Sequence, residues 1–350
     1  MQYVKLGSSG LDVSNICLGT MTWGTQNTQQ DANDQMAVAL EAGINFFDTA
    51  EMYSVPPNAD SYGKTEIIIG NWLKANSDKR QDIVLATKIA GPGLSYIRDG
   101  RPVNGADLIS AVDDSLKRLN TDYIDLYQIH WPNRTSPHFG KHWPGFYKLS
   151  DAESAEQSLQ MAEILKAIDE CIKQGKIRHW GLSNETPWGI NQYLKLSEEQ
   201  SLPRPVSIQN EFNLLHTKDW PYLIENCIHE EVAYLPWSPL AAGALSGKYA
   251  DGQRPAGSRW TLVQRNGLFR DTPYSRQATQ AYVDLAKQHN ITPSQLALAW
   301  VKQVDGVSST IIGATTIEQL NEDITAFNIE LSDELQAGIM RIMQQYPVPF

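Results

Sequence analysis

The sequence predicts an α/β fold, a closed (β/α)8 TIM barrel with an N-terminal β-hairpin and an extra C-terminal helix. Three observations point there. Short apolar runs rich in β-branched residues alternate with longer amphipathic stretches along the chain. The runs number eight, which fits a closed barrel. No GxGxxG follows the first run, which argues against an open doubly wound dinucleotide-binding sheet.

In chain order, "YVKLGSSGLDVS" (3–14) reads as a small hairpin placed to plug the barrel floor. The strand candidates are "NICLG" (15–19), "INFF" (44–47), "IVLAT" (83–87), "YIDLYQI" (123–129), "IRHWGL" (177–182), "VSIQ" (206–209), "VAYLPW" (232–237) and "SSTII" (308–312). Between them, "DANDQMAVALEAG" (31–43) opens on Asp31 and stops at Gly43, as a capped helix does. "NGADLISAVDDSLKRLN" (104–120) sets Leu108, Val112, Leu116 and Leu119 on one face at helical spacing. The stretches 155–176 and 275–290 read likewise. Irregular inserts fill 131–154 and 238–273, and "LSDELQAGIMRIMQQYPVPF" (331–350) supplies the extra helix. No linker or low-complexity segment divides the chain, so one domain covers 1–350.

The bulk numbers exclude several function classes. A formal charge of -11 argues against nonspecific nucleic-acid binding. No run of about 18 apolar residues offers a membrane span. The start "MQYVKLGSSG" lacks the apolar core of a signal peptide. Cys17, Cys171 and Cys227 are far apart, odd in number and free of metal spacing, so reduced thiols and a cytoplasmic location are expected. His138 and His142 stand four apart in a Pro/Gly-rich loop without an acidic or thiolate neighbour, so no metal is expected. Homo-oligomerisation is left open.

Barrel chemistry gathers at the C-terminal strand tips. Read there, the chain offers Asp48, with Tyr53 in the following loop, then Lys88, then His130. Later tips offer Ser183 and Asn184, Gln209 and Asn210, Trp237 and Ser238, and finally Gly313 with Thr315. An acid, an ammonium, an imidazole and a phenol on neighbouring tips make a proton-transfer set without an activated nucleophile. A phenol has an ordinary pKa near 10, high for an acid working at neutral pH. Lowering it by about two units requires roughly 3 kcal/mol. One cation at about 4 Å in a medium of effective dielectric 20 supplies roughly that before desolvation losses. Lys88 is the expected cation, Asp48 its orienting partner, and His130 the donor that orients a carbonyl oxygen. Proton delivery to a developing alkoxide implies an external hydride source. Glu51, between Asp48 and Tyr53, reads as a loop residue; it makes a poor glycosidase partner for Asp48 on the same loop. Trp23, Trp131 and Trp143 are expected as pocket walls.

At these positions the sequence resembles the aldo-keto reductase superfamily. "GINFFDTAEMY" and "ATKI" match two catalytic blocks, and "LKRLNTDYIDLYQIHWP" (116–132) matches a third. "GLSNE" (181–185), "IQNEFNLL" (208–215), "PWSPLAAGALSGKY" (236–249) and "IIGATTIEQLNEDI" (311–324) follow in family order. The loops 53–66 and 130–140 look most similar to the bacterial Tas-like branch. The resemblance implies NADP(H) bound in extended form and reversible reduction of a small-molecule aldehyde or ketone. It implies a catalytic tetrad of Asp48, Tyr53, Lys88 and His130. It puts Ser183, Asn184 and Gln209 on the nicotinamide amide and stacks Trp237 on the ring. Gly19, Thr20 and Met21 also fall on cofactor-binding positions. Ser238, Pro239, Leu240 and Gly243 fall on the pyrophosphate segment, with Lys248 nearby and Arg259 on the 2′-phosphate. Gly313, Thr315, Gln319 and Glu322 take adenosine-side positions. Asp323 stands where many members have Asn, which removes an adenine contact or adds repulsion, and Gln319 stands where some branches have Arg. A cofactor-binding redox sensor or regulatory subunit with little turnover carries the same residues.

Overall fold

The computed structural model describes residues 1–145, 154–262 and 268–350. A two-stranded antiparallel hairpin comes first, β1 (Tyr3–Lys5) and β2 (Asp12–Ser14). Eight parallel strands follow: β3 (Ile16–Gly19), β4 (Phe46–Asp48), β5 (Val84–Ile89), β6 (Ile124–Ile129), β7 (Ile177–Ser183), β8 (Ser207–Glu211), β9 (Ala233–Trp237) and β10 (Thr310–Ile312). Their order around the sheet is β10-β3-β4-β5-β6-β7-β8-β9. The remaining seam, between β9 and β10, closes through a parallel bridge of Tyr234 with Val307 and the bond from Ser308 N to Tyr234 O (2.9 Å). This is the barrel expected from the sequence, hairpin included.

The helices are α1 (Gln29–Glu41), α2 (Lys64–Ala75), α3 (Gly105–Leu119), α4 (Ser154–Lys173), α5 (Pro187–Gln200), α6 (Tyr222–His229), α7 (Pro273–Gln288), α8 (Pro293–Gln303), α9 (Ile317–Ala326) and α10 (Asp333–Gln345). Their starts follow local chemistry. Thr28, Asn104, Thr272 and Thr292 each close a capping box, satisfying backbone donors that a helix start leaves free. The sequence reading did not resolve α8, an 11-residue helix that starts with Pro293 after its cap. The periodic stretch 275–290 is α7, and it packs on the C-terminal α10 as well as on α8. Gly338 of α10 lies so close to α7 that a Cβ would come within 2.8 Å of a Leu285 methyl. The extra C-terminal helix therefore has an outlying partner.

Two apolar layers flank the sheet. Outside it, Leu18, Phe47, Leu85, Tyr127 and Leu182 pack against the helices. Inside it, Cys17, Phe46, Ala86, Leu126 and Leu235 meet Leu6 and Val13 of the hairpin. Leu6 and Val13 are fully buried, so the hairpin seals the floor. The contact is tight: at Gly7, with φ +52°, a Cβ would lie 2.2 Å from the Val206 carbonyl oxygen. The period of two along each strand then lifts the next inward residues, Asp48, Lys88, Gln128, Gln209 and Trp237, toward the open end. No helix among the described residues is long and apolar enough to cross a membrane.

Helix packing around the barrel allows a direct test. At Gly70 in α2, a Cβ would sit 2.1 Å from the Arg118 carbonyl oxygen and 2.9 Å from the Leu119 carbonyl carbon of α3. Gly70→Ala gains helix propensity but forces α2 and α3 apart. A net loss of roughly 2 kcal/mol is expected, read as a Tm lowered by several degrees. An unchanged or higher Tm would contradict this packing.

Candidate active site

The inward residues at the strand tips converge on one buried ion pair. Lys88, fully buried, donates from Nζ to Asp48 Oδ2 at 2.6 Å and to the Thr49 carbonyl at 2.7 Å. The other Asp48 oxygen accepts from Gln209 Nε2 (2.9 Å) and Gln128 Nε2 (3.1 Å). Burial is the largest single influence on Lys88 and favours the neutral amine, but Asp48 and Tyr53 together outweigh it. The pKa ends above its ordinary value, so the ammonium stays charged. Removing one partner of such a buried pair costs about 3–5 kcal/mol.

Tyr53 and His130 sit beside this pair. Lys88 Nζ lies 5.2 Å from the Tyr53 ring centroid. The Tyr53 ring meets His130 edge-on, with centroids 5.6 Å apart and planes at 82°. The expected net acidification of the phenol is not what the structure supports. Burial raises the Tyr53 pKa more than Lys88 lowers it, and Asp48 adds to the rise. The phenol therefore keeps its proton across the neutral range. His130 is held well below its ordinary pKa by burial and by Lys88, so its ring is neutral. Its Nδ1 is buried without a partner among the described residues.

Of the three tryptophans expected as pocket walls, Trp143 is exposed and tilts against His142 with centroids 5.2 Å apart, and the other two part ways. Trp131 tilts against His130 at 4.9 Å and donates from Nε1 to the Pro92 carbonyl at 3.0 Å. Gly91 makes room for it, since a Cβ there would fall 2.3 Å from the indole. Trp23 is instead fully buried in the outer core, with Nε1 bonded to Gln35 Oε1 at 3.1 Å. It is a packing residue and not a pocket wall, because α1 covers it and supplies its polar partner. Trp237 faces Phe139 in a near-parallel stack with centroids 5.9 Å apart. His138 and His142 bond to the carbonyls of Glu185 (3.2 Å) and Phe350 (2.9 Å). No metal-binding cluster occurs among the described residues.

Several features fit an extended nicotinamide dinucleotide along the lip. Gly19 and Gly313 leave the rim between β3 and β10 bare of side chains, since a Cβ on Gly313 would meet nothing nearer than the Gly19 carbonyl at 4.0 Å. Asn184 holds the Ser183 tip in place, donating to the His130 carbonyl (2.8 Å) and to Ser183 Oγ (3.0 Å). Its own Oδ1 is buried without a partner among the described residues, free to accept from an amide. Arg259 Nε is buried as well, without a partner among the described residues. Burial and the neighbouring Arg270 push the Arg259 pKa down to about 10, and its charge is felt at Tyr53. The pyrophosphate segment is less open than its sequence suggests. Ser238, Ala241, Ala242 and Gly243 have positive φ and curl tightly. The amides of Ala241, Ala242 and Gly243 bond within that turn.

The remaining positions are tied into the scaffold. Thr20 donates from N and Oγ1 to the Asp48 carbonyl (3.1 and 2.8 Å), and the Met21 carbonyl accepts from Val55 N (2.8 Å). Gln319 Oε1 accepts from Thr315 N (2.9 Å) and Oγ1 (3.0 Å), and Glu322 Oε1 accepts from Thr292 Oγ1 (2.6 Å). Asp323 is buried at 4% exposure; burial and Glu322 push its pKa up to about 8, against the pull of Lys248. Mostly protonated at neutral pH, it is closer to an amide than to a fixed anion.

Two site residues escaped the sequence reading. Gln128, two positions before His130 on the same inward face, holds Asp48; strand alternation alone could have found it. Glu51 is not a plain loop residue. It is fully buried and paired with Arg98, at 2.6 Å from Oε1 to Nη2. Nothing local signals that partner.

The comparisons with known proteins agree with this geometry. The model of the Aldo/keto reductase family matches residues 15–343. "Protein tas" of Escherichia coli (strain K12) is 42% identical over 356 residues, covering 100% of this chain and 99% of that protein. The protein of the same name from Shigella flexneri matches equally. The "Uncharacterized oxidoreductase YrpG" of Bacillus subtilis (strain 168) is 32% identical, with 96% and 94% covered. A closed parallel barrel, a buried Lys88–Asp48 pair beside Tyr53 and a family match across nearly the whole chain lead to one conclusion: this chain belongs to the aldo/keto reductase family of oxidoreductases.

Proposed function

We propose that the chain reduces an aldehyde or ketone to the alcohol, reversibly, with NADPH as its cofactor. The observation that carries this reading is the set around Lys88: 2.6 Å to Asp48, 5.2 Å to the Tyr53 ring centroid, with His130 edge-on to that ring. Bound NADPH would supply the hydride. The chain's own residues then handle the oxygen. Neutral His130 donates to the carbonyl oxygen and orients it, and Tyr53 delivers the proton as negative charge develops there. Lys88 stabilises the phenolate left behind, and Asp48 keeps Lys88 charged and aimed. Asn184, Ser183 and Gln209 would hold the nicotinamide amide, and Trp237 would cover the ring. Arg259 and Lys248 would favour the phosphorylated cofactor. Burial raises the phenol's pKa at rest, so the donor is protonated when the carbonyl arrives, and the ammonium acts on the product state.

The test is loss of NADPH absorbance over a panel of aldehydes and ketones. Tyr53→Phe should lower kcat by about a thousand-fold with the NADPH Kd unchanged. Equal turnover in that variant would end the assignment. The pH dependence has a defined sign. Carbonyl reduction needs the protonated phenol, whose pKa lies above 10, so its kcat should stay level up to about that pH. Alcohol oxidation needs the phenolate and should rise with pH, up to tenfold per unit. Neutral His130 should give no decline in reduction near pH 6.5. Arg259→Gln should weaken NADPH binding by about 10- to 100-fold and NADH binding far less. An equal loss for both cofactors would remove Arg259 from phosphate discrimination.

A further inference from the structure

The loop that carries Tyr53 is laced to the strand that carries Lys88, and most of the lacing passes through one residue. Thr49 N bonds to the Ala86 carbonyl at 2.9 Å, continuing the β4–β5 ladder past Asp48. Glu51 N then bonds to the carbonyl of Lys88 itself at 3.1 Å. The Glu51 carboxylate reaches past it and accepts from Ala90 N at 2.6 Å. The Glu51 carbonyl accepts from Gly63 N at 2.9 Å, fixing the far end of the loop at the start of α2. Glu51 thus grips β5 on both sides of Ile89, three residues after Asp48 and two before Tyr53.

The carboxylate is fully satisfied. Arg98 approaches it with two nitrogens, Nη2 to Oε1 at 2.6 Å and Nη1 to Oε2 at 3.1 Å. Arg98 Nη2 also donates to the Ala90 carbonyl at 2.6 Å, so the guanidinium holds the same residue that Glu51 holds, from its other backbone group. Tyr62 OH donates to Oε2 at 3.3 Å. Charged bidentate pairs of this kind fix direction as well as distance. A second buried pair lies next to it, Glu66 with Arg118 at 2.6 Å, and Glu66 also accepts from Thr87 Oγ1 at 2.6 Å. That pair anchors β5 to α2 and α3, yet no bond from either partner reaches residues 48–53 directly.

We propose that Glu51 is a positioning residue for the reaction: clamped by Arg98, it fixes the Tyr53 loop to the Lys88 strand and so sets the contact between phenol and ammonium. This rests on the reductase reading above for its kinetic arm. Glu66 serves as the control, since from α2 it pairs with an arginine and bonds the same strand, β5, outside that loop.

Glu51→Gln, Glu51→Ala and Glu66→Gln are compared in the full chain. Glu51→Gln and Glu66→Gln should lower Tm by similar amounts. Only the Glu51 variants should lower kcat, by about ten- to a hundred-fold, with the carbonyl KM and the NADPH Kd unchanged within about twofold. Glu51→Ala should lose more than Glu51→Gln, which keeps an acceptor for Ala90 N. An activity-independent arm uses protein carrying [13C]-labelled tyrosine Cζ, with Tyr53→Phe assigning the resonance. In Glu51→Gln the Tyr53 titration should move upward by about half a unit or more, because the ammonium no longer sits squarely beside the hydroxyl. Simple removal of a negative charge would move it downward. If Glu51→Gln does not fold, the double variant Glu51→Gln/Arg98→Met, which leaves no lone buried charge, carries the same measurements. A folded Glu51 variant with wild-type kcat and wild-type Tyr53 titration overturns the proposal, as does an equal kcat loss in Glu66→Gln. If the wild type reduces no carbonyl in the panel, the reductase reading fails, and the titration still decides the role of Glu51.

Discussion

One constraint organises the molecule: a lysine ammonium has to remain charged inside a barrel that excludes water. Lys88 is fully buried, and its charge is tenable only because Asp48 and the Thr49 carbonyl accept from it. Asp48 in turn needs Gln128 and Gln209 on its other oxygen. Asp48 and Lys88 come from neighbouring strands, but Gln209 reaches Asp48 from β8, so the full set of partners assembles only when the sheet has curled. The barrel fixes the charge, and the charge fixes what Tyr53 and His130 face.

The neighbouring groups show how burial and charge compete. At Lys88 nearby anions prevail over burial; at Tyr53 and His130 burial prevails over the cation or adds to it. The outcome is a neutral imidazole and a neutral phenol around one fixed cation. Such a site is poor at holding negative charge at rest and well suited to receiving it briefly, which matches the demands of a developing alkoxide.

Much of this was legible in the sequence because it is local or periodic. The strand tips put Asp48, Lys88, His130 and Trp237 at the open end, whereas the helix start read at Asp31 lies at Gln29, capped by Thr28, with Asp31 closing the capping box. What escaped was nonlocal. Glu51 finds Arg98 far along the chain, across a turn with no periodic signal, and looked like an ordinary loop acid. Trp23 resembled a rim aromatic, but its fate was decided by Gln35 on the helix that covers it. The phenol's acidity was misjudged because the favourable charge was weighed before the desolvation loss, and that loss turns out to be the larger of the two. α8 was overlooked because its short apolar face merges with the core of its neighbours.

The hairpin at the base has a consequence for traffic. With Leu6 and Val13 wedged beneath the strands and Gly7 pressed on the backbone of Val206, the vessel has a stopper at one end. Anything that reaches Lys88 arrives through the opposite doorway, and whatever is made there departs by it. Entry and exit are then successive events in one passage, and a molecule lodged near the doorway delays everything seated below it.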